Sequence, residues 1–301
     1  MLDDIDESLA GHCASLSVIT VNDGSAQPPP ERLDRAFKTI DKVELLDLAI
    51  NLGNQRAIAV GLAYASRMDA TCIVVMDSDG DDKPSDIARL LGYFAQEPGA
   101  IHVVERGKRS DSLLFRIYYR LYKAAFYLST GAKLAHGNFS LLPMRSAIGI
   151  LHSANTWNNL AASIVRSKLP YRAHTMDRGR RYEGQSSVNF TFLLLHGLSS
   201  ISVYLEVVTA RLLVASALAL AALIAMLFVV IGIRVFSDLA IPGWATVAAG
   251  ILLIIITQVI MLAFNVLLNL LYNRSQSLTV PAMIDKLYVV AVRVLYASER
   301  G

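Results

Sequence analysis

Two long apolar runs occupy the last third of the chain. Leu212 to Ile233 gives 22 residues without a charge, and Ala245 to Leu271 gives a second such run. As a helix, each is long enough to cross the roughly 30 Å of bilayer hydrocarbon. The link between them contains Pro242 and Gly243, so we predict a transmembrane hairpin over residues 206–272. Core helices of a soluble protein are the alternative, but charge-free stretches of this length are rare there.

Positive charge flanks the outer ends of the two runs, whereas the link between them carries only Arg234. Because cytoplasmic flanks are enriched in Lys and Arg, this pattern predicts that both termini face the cytoplasm at the inner membrane. Residues 273–301 are then a cytoplasmic C-terminal tail. The flanking residues are Arg172, Arg178, Arg180, Arg181 and Arg211 before the hairpin, and Arg274, Lys286, Arg293 and Arg300 after it.

The first 110 residues alternate between strand-like and helix-like patterns. Leu16–Val21 and Cys72–Met76 are short runs rich in β-branched residues, and helical spacing follows in stretches such as Ile87–Phe94. This alternation is typical of an α/β domain with a mostly parallel sheet flanked by helices, which we assign to residues 1–205. Ligands of such sheets bind beyond the carboxyl ends of the strands.

The segment from Ser112 to Thr130 has a different pattern. Arg116, Arg120 and Lys123 are spaced along one side of a stretch that is otherwise aromatic and aliphatic. A cationic, aromatic-rich amphipathic helix of this kind suits the headgroup layer of a membrane. A core helix with a solvated basic stripe is the alternative.

Composition narrows the class of protein. With 54% hydrophobic residues and a mean hydropathy of +0.44, the chain is neither disordered nor an ordinary soluble domain. Residues 1–100 carry a net charge of −9 and residues 101–183 one of +10, which favours a metal in the first part and anionic partners in the second. With only two cysteines, the chain cannot form a disulfide framework. The histidines lack metal-ligand spacing, so we assign the histidines no catalytic role.

An acidic loop follows the second predicted strand. It runs Asp77-Ser78-Asp79-Gly80-Asp81-Asp82, and we refer to residues 77–82 as the acidic loop. Hard carboxylate oxygens bind Mg²⁺ or Mn²⁺, and such an ion can neutralise a diphosphate. The sequence disfavours a calcium-binding EF-hand because its twelfth position, which needs a bidentate Glu, is Ala88. A solvated acidic turn is the alternative.

Three other places have side chains suited to a phosphorylated ligand. Asp23 follows the first predicted strand and can accept a hydrogen bond from a nucleobase, although Asn22-Asp23-Gly24-Ser25 is also a common turn sequence. Asn51 and Arg56 flank a predicted helix start, where phosphate is favoured, although a capped helix needs no ligand. Guanidinium groups match phosphate oxygens, although juxtamembrane charge can also serve topology alone. The third group consists of Arg178, Arg180 and Arg181.

In their order and spacing, four segments resemble the polyprenyl-phosphate type of family-2, GT-A-fold glycosyltransferases, a group that includes dolichol-phosphate mannose synthase. The resemblance covers about residues 14–205, and the hairpin that follows is similar to that of bacterial members. The four segments are Val21-Asn22-Asp23-Gly24-Ser25, the stretch from Asn51 to Leu62, Val75-Met76-Asp77-Ser78-Asp79, and Arg181-Tyr182-Glu183-Gly184-Gln185-Ser186.

The resemblance implies inverting, metal-dependent transfer of a sugar from a nucleotide-diphosphate-sugar to a polyprenyl phosphate at the cytoplasmic membrane face. It implies Mg²⁺ or Mn²⁺ as cofactor and membrane lipid as partner, with no nucleic acid, and it leaves self-association open. Asp79 and Arg181 are the expected catalytic residues. Expected metal ligands are Asp77, Asp79 and Asp81, and expected substrate-binding residues are Asp23, Asn51, Arg56, Arg106, Arg109, Gly184 and Ser186.

The chain departs from the family pattern in several places. The usual first strand is missing before Leu16, which predicts an unpaired sheet edge that something else must cover. Ser187 stands where the family has Lys, Asn22 replaces the first of two aspartates, and Lys83 replaces a proline. These departures keep open a second hypothesis, in which the chain is a catalytically inactive, glycosyltransferase-like membrane scaffold or partner-binding subunit.

Overall fold

The computed structural model describes residues 1–106, 113–132, 136–179, 182, 197–236, 243–275 and 279–298. These residues form two compact units. The first unit combines residues 1–127, 132–203 and 278–301, and the second combines 128–131 with 204–277. The chain therefore leaves the first unit twice, briefly at residues 128–131 and again at residues 204–277, and returns to it each time.

Helices and strands alternate through the first unit, as the sequence predicts. Short 3₁₀ turns occur at Ala154–Trp157 and Pro281–Met283. In chain order the elements are α1 Leu2–Ser8, β1 Ser17–Asn22, β2 Lys42–Leu48, α2 Asn54–Ala65, β3 Cys72–Val75, α3 Ser85–Gln96, β4 Ile101–Arg106, α4 Leu113–Thr130, β5 Ser140–Pro143, α5 Met144–Leu151, α6 Leu160–Ser167, β6 Tyr171–Met176, α7 Leu205–Phe236, α8 Trp244–Ser275, α9 Asp285–Tyr288 and β7 Val289–Ala297.

The strands form two sheets, in the orders β1-β2-β7 and β3-β5-β4-β6. Within them, β1 and β2 are parallel, as are β4 and β6. The α/β class is confirmed, but both sheets are mixed where the sequence predicts a mostly parallel one. The reason is that β5 lies antiparallel between β3 and β4, and β7 runs antiparallel to β2.

Both sheets lie between the same two hydrophobic cores. The first core contains side chains of α2, α5 and α6 together with Val103 and Leu142. The second core contains side chains of α1 and α3 together with their strand neighbours Val104 and Leu141. Because successive side chains of a strand point to opposite faces, the two sheets form one layer with helices on either side.

In the described part of the chain, the two sheets are not paired with each other. Among the described residues, β1 pairs only with β2 and β3 only with β5, so each has one unpaired edge. Both strands are half-buried along almost their whole length, whereas β2 and β5 are largely buried. The expected lack of the usual first strand stays a prediction.

The chain segment after the apolar helices completes the first sheet. Arg293 of β7 donates to Asp47 of β2 through Nε and Nη2, at 2.7 and 3.0 Å, and Asn22 of β1 donates to the same carboxylate at 2.8 Å. The Arg293 guanidinium, followed by the Asn22 amide, lowers the pKa of Asp47. Residues 289–297, which the sequence assigns to a tail, are thus a strand of the first unit.

The second unit consists mainly of α7 and α8, two 32-residue helices. Leu205–Phe236 and Trp244–Tyr272 are apolar and long enough to cross a membrane, and only 6% of each apolar window is buried. The predicted pair of apolar helices is therefore confirmed. Arg211 near the start of α7 donates to the Leu128 carbonyl at 2.6 Å, which joins the end of α4 to this unit.

The pKa of Asp47 leads to a stability prediction. Since folding lowers this pKa, the contribution of Asp47 is present above its ordinary value near 3.8 and is lost as the pH falls through the folded value. We expect Asp47→Asn to lower the free energy of unfolding by about 1–2 kcal/mol at neutral pH, with the difference shrinking in acid. Denaturant unfolding of the full chain in detergent, followed across pH, measures this.

Asp34→Asn is the matched control, because Asp34 is exposed in the β1–β2 connection. It should leave the unfolding free energy nearly unchanged. An Asp47→Asn effect of equal size at neutral pH and at the most acidic pH that keeps the chain folded would contradict the ion-pair account.

Candidate functional site

Asp23 joins the end of β1 to the start of α2. Its Oδ1 accepts from the backbone N–H of Leu52 at 2.6 Å, and its Oδ2 accepts from that of Gly53 at 2.8 Å. Asn51 donates from its side chain to the Asp23 carbonyl at 2.7 Å. The structure therefore brings two predicted substrate-binding residues together. Each carboxylate oxygen has a second acceptor position, so contact of Asp23 with a nucleobase stays a prediction.

The start of α2 also contacts the second sheet. Gln55 donates to the Asn138 side chain at 3.2 Å and accepts from the Leu160 backbone N–H at 3.1 Å. Asn138 lies just before Ser140, which pairs with Val75 at the end of β3. The candidate groups at β1 and at β3 are thus linked through one helix start. Sequence reasoning missed Gln55, although it lies in the Asn51–Ala57 stretch, and nothing in the sequence marks Asn138.

The acidic loop is folded around its own carboxylates. Asp82 is only 3% exposed, and its Oδ2 accepts from the Asp77 backbone N–H at 2.9 Å. Asp79 Oδ1 accepts from the Asp81 backbone N–H at 3.0 Å. Asp77, Asp79 and Asp81 are half-buried. Asp82 therefore shapes the loop, and the three predicted metal ligands are the carboxylates at its surface.

The segment after β6 is hydrogen-bonded to the acidic loop. Gly179 donates its backbone N–H to the Asp81 carbonyl at 2.9 Å, and Tyr182 donates its own to the Asp79 carbonyl at 3.1 Å. Arg178 Nη1 lies 3.5 Å from Asp81 Oδ2. One member of the predicted basic group therefore contacts a predicted metal ligand. Arg109, Arg180, Arg181, Gly184 and Ser186 lie outside the described residues.

Tyr182, which is hydrogen-bonded to the acidic loop through its backbone, also contacts α1 through its side chain. Its hydroxyl donates to Asp4 Oδ2 of α1 at 2.5 Å. Burial, followed by the hydrogen bond to this carboxylate, raises the pKa of Tyr182 to about 12. The phenol therefore stays protonated and remains a donor at neutral pH.

Two other predicted residues have distinct surroundings. Arg56 is exposed in the first turn of α2, and its guanidinium carbon lies 5.4 Å from the ring centroid of Trp157, which is a cation–π distance. Arg106 is the last residue of β4 and pairs in register with Met176, the last residue of β6. It therefore lies at the same sheet edge as residues 177–179.

The acidic loop fits part of a divalent-cation site. Across the described residues, no three His, Cys, Asp or Glu side chains are grouped so that they could hold a metal ion. Magnesium at nucleotide sites, however, is commonly held by one or two carboxylates together with substrate phosphates. Asp77 and Asp79 could supply the two carboxylates of such a site, whereas Asp81 forms an ion pair with Arg178.

Residues 4–149 match the model of the family described as Glycosyl transferase family 2. The chain carries a glycosyl transferase family 2 domain. The match includes Asp23, Asn51, Arg56 and the acidic loop, and it ends within α5. The predicted family is therefore confirmed over the part of the first unit that holds most of the candidate site.

Three curated proteins resemble the chain. It is 33% identical over 110 residues to the uncharacterized glycosyltransferase YkcC of Bacillus subtilis, covering 35% of this chain and 32% of the relative. It is 21% identical over 175 residues to the uncharacterized glycosyltransferase sll0501 of Synechocystis, covering 58% and 54%. It is 28% identical over 156 residues to the undecaprenyl-phosphate 4-deoxy-4-formamido-L-arabinose transferase of Pectobacterium carotovorum, covering 50% and 46%. The chain thus spans between a third and about half of each relative.

Gly179 provides a direct test of the contact between the acidic loop and residues 177–182. A Cβ added at Gly179 would lie 2.1 Å from the Gly80 carbonyl oxygen, which is far too close. We expect Gly179→Ala to force the two segments apart and to lower the free energy of unfolding by about 1–3 kcal/mol. Urea unfolding of the detergent-solubilised chain measures the change.

Gly92→Ala is the control, since a Cβ there meets nothing within 4 Å and the residue lies inside α3. It should be neutral or slightly stabilising. If Gly179→Ala were as stable as Gly92→Ala, residues 177–182 would not pack on the acidic loop as described.

Proposed function

We propose that the chain transfers a sugar from a nucleotide-diphosphate-sugar to a polyprenyl phosphate, with inversion at the anomeric carbon, at the cytoplasmic face of a membrane. The family 2 domain supports the transfer of a sugar, and the name of the Pectobacterium relative supports a polyprenyl-phosphate acceptor. The two apolar helices support a reaction at a lipid surface.

One observation carries the proposal. The carboxyl ends of β3, β4 and β6 lie at a single sheet edge, because these strands are mutually parallel through their pairing with β5 and with each other. That edge holds the acidic loop with Arg178 against it, and the start of α2 joins it to Asp23. Carboxylates, a guanidinium and a helix start thus surround a place where ligands of α/β sheets bind.

The proposed reaction does not require the protein to supply a general base. An oxygen of the acceptor phosphate forms a bond to the anomeric carbon while the bond from that carbon to the donor diphosphate breaks. The acceptor oxygen is already an anion at neutral pH, so no proton has to be removed from it. Catalysis then depends on alignment of the two substrates and on neutralisation of charge.

The residues at this sheet edge are of the types needed to align the substrates and neutralise charge. A divalent cation at Asp77 and Asp79 would neutralise the leaving diphosphate. Arg181 remains our proposed phosphate-orienting residue, with Arg106, Arg109, Gly184 and Ser186 as proposed neighbours of the phosphates. Asp23 and Asn51 would bind the nucleoside, and Arg56 would lie near the phosphate at the start of α2.

The two-unit arrangement supports a particular membrane topology. Residues 132–203 and 278–301 belong to the same compact unit, and the two apolar helices lie between them in the chain. If the helices span the bilayer, both of their outer ends must lie on the side of that unit. The excess of Lys and Arg on the outer flanks supports the cytoplasm as that side.

The first test removes the proposed metal ligand. We expect Asp79→Ala to abolish nucleoside diphosphate release from a panel of nucleotide sugars in the presence of polyprenyl phosphate and Mn²⁺, because the diphosphate loses its counter-charge. The variant should still insert into membranes. Asp69→Ala is the matched control, since Asp69 is exposed beyond the other end of β3, and it should keep full activity.

Full activity of Asp79→Ala would remove the metal assignment. A wild-type chain that binds nucleotide without any dependence on Mn²⁺ and transfers no sugar would instead favour the scaffold hypothesis.

The second test maps topology with single cysteines. After replacement of Cys13 and Cys72, we would introduce Glu7→Cys, Trp244→Cys or Ala297→Cys, all exposed positions. In bacterial cells treated with a membrane-impermeant maleimide, we expect labelling of the Trp244→Cys chain alone, because position 244 lies between the helices. Permeabilisation should expose the other two. Opposite labelling of Glu7→Cys and Ala297→Cys in intact cells would contradict the hairpin.

A further inference from the structure

The helix α8 has one side that is less exposed than the rest. Between residues 252 and 272, every side chain that is not exposed belongs to a single series with steps of three and four residues. Such steps keep side chains on one side of a helix, and α8 contacts α7, so this series is the side that packs on α7. The series is Leu252, Ile256, Val259, Ala263, Val266 and Leu270.

A second series with the same steps lies on another side of α8, and all of its side chains are exposed. It combines large apolar side chains with two primary amides, at the spacing that forms the contact between paired helices. We call this series the amide face. It consists of Ile251, Ile254, Gln258, Met261, Asn265 and Leu268.

Gln258 is the central residue of the apolar span Trp244–Tyr272. At a rise of 1.5 Å per residue, about 21 Å of helix separates it from either end of the span. Half of the hydrocarbon layer is only about 15 Å thick. If α8 crosses the bilayer, the Gln258 amide therefore lies near the midplane, away from water and lipid headgroups. An amide at that depth needs a hydrogen-bond partner, because leaving it unpaired in an apolar medium costs free energy.

Other polar side chains nearby are hydrogen-bonded within α8 itself. Thr257 Oγ1 donates to the Leu253 carbonyl at 2.9 Å. Asn269 Nδ2 donates to the Asn265 carbonyl at 2.9 Å and to Asn265 Oδ1 at 2.8 Å. Across the residues that the structure describes, the exposed Gln258 side chain makes no such bond. Its partner must therefore come from another molecule in the membrane.

We propose that the amide face joins two copies of this chain, with Gln258 hydrogen-bonded to Gln258 of the partner subunit. Copies inserted with the same topology carry this residue at the same depth, and a two-fold axis along the membrane normal brings identical residues together. A primary amide both donates and accepts, so two of them satisfy each other. A different membrane protein would need a polar group at that depth, which a second copy has by identity.

The rest of the amide face suits the same contact. Asn265 lies seven residues after Gln258, so the two amides occupy equivalent positions along a pair of parallel helices. The apolar members of the face supply van der Waals packing, which drives helix association in lipid together with hydrogen bonds between helices. This interface goes beyond the proposed function and does not depend on sugar transfer. It requires that α8 spans the bilayer, which the cysteine-labelling experiment tests separately.

The first test measures self-association of the full chain in liposomes, by energy transfer between donor-labelled and acceptor-labelled copies across a range of protein-to-lipid ratios. The labels are attached to Glu7→Cys after replacement of Cys13 and Cys72. We expect Gln258→Leu to weaken self-association about tenfold, because two hydrogen bonds between the helices are lost. Gln258→Asn, which keeps the amide, should stay closer to wild type.

Thr257→Val is the matched control. Thr257 is the exposed polar neighbour of Gln258, but its hydroxyl is already bonded within α8, so this variant should associate as wild type does. Equal self-association of Gln258→Leu and wild type would overturn the proposal. A wild-type chain that shows only random-proximity energy transfer at the highest protein density would also overturn it, and would indicate that the amide face meets a different protein.

A second measurement leaves Gln258 unchanged. Ile251 and Leu253 are both 53% exposed and lie two residues apart, so they have nearly the same depth, but only Ile251 belongs to the amide face. In membranes oxidised with copper phenanthroline, single-cysteine Ile251→Cys chains should cross-link into dimers, whereas Leu253→Cys chains should stay monomeric. Equal cross-linking of the two would reveal collisions without a specific interface and contradict the proposal. Since neither readout involves a sugar donor, their failure with transfer intact affects only the interface.

Discussion

Four carboxylates within six residues repel one another, and the candidate site depends on how that repulsion is offset. Asp82 turns inward and is satisfied by the loop backbone, whereas Asp81 is neutralised by Arg178. Backbone hydrogen bonds and the absence of a side chain at Gly179 hold the two segments in contact. Asp77 and Asp79 are the carboxylates that we propose to hold a cation arriving with a phosphorylated ligand.

A second constraint comes from the path of the chain. The polypeptide leaves the first unit, forms two apolar helices and returns to place β7 against β2. Arg293 of the returning strand binds Asp47, which Asn22 of β1 also contacts, so the end of the chain stabilises the strand that precedes Asp23. The segment that follows the two apolar helices and the strand that precedes Asp23 are therefore coupled through one sheet.

The sequence predicts those helices and strands whose residues share one clear pattern along their whole length. Charge-free runs identify α7 and α8 because hydrocarbon tolerates no charges, and β-branched runs before polar turns identify β1 and β3. The strand β7 is missed although Val289–Ala297 is also rich in β-branched residues, because the whole segment after the two apolar helices is assigned to a tail. The sequence also does not predict the antiparallel strands of the mixed sheets, since strand order and direction depend on pairing between segments far apart in the chain. At the site, Asp77 and Asp79 are evident as an acidic pair, but nothing in the sequence tells which carboxylate turns inward, as Asp82 does.

The most direct measurement of the central claim is transfer of radiolabelled sugar to lipid by the purified full chain in nanodiscs that contain polyprenyl phosphate. A panel of nucleotide sugars would be tested with Mn²⁺, with chelator, and after Mn²⁺ is restored. The account predicts an organic-soluble labelled product with at least one donor, its loss with chelator and its recovery with the cation. Product formation that is indifferent to chelator, or no product with any donor, would contradict it.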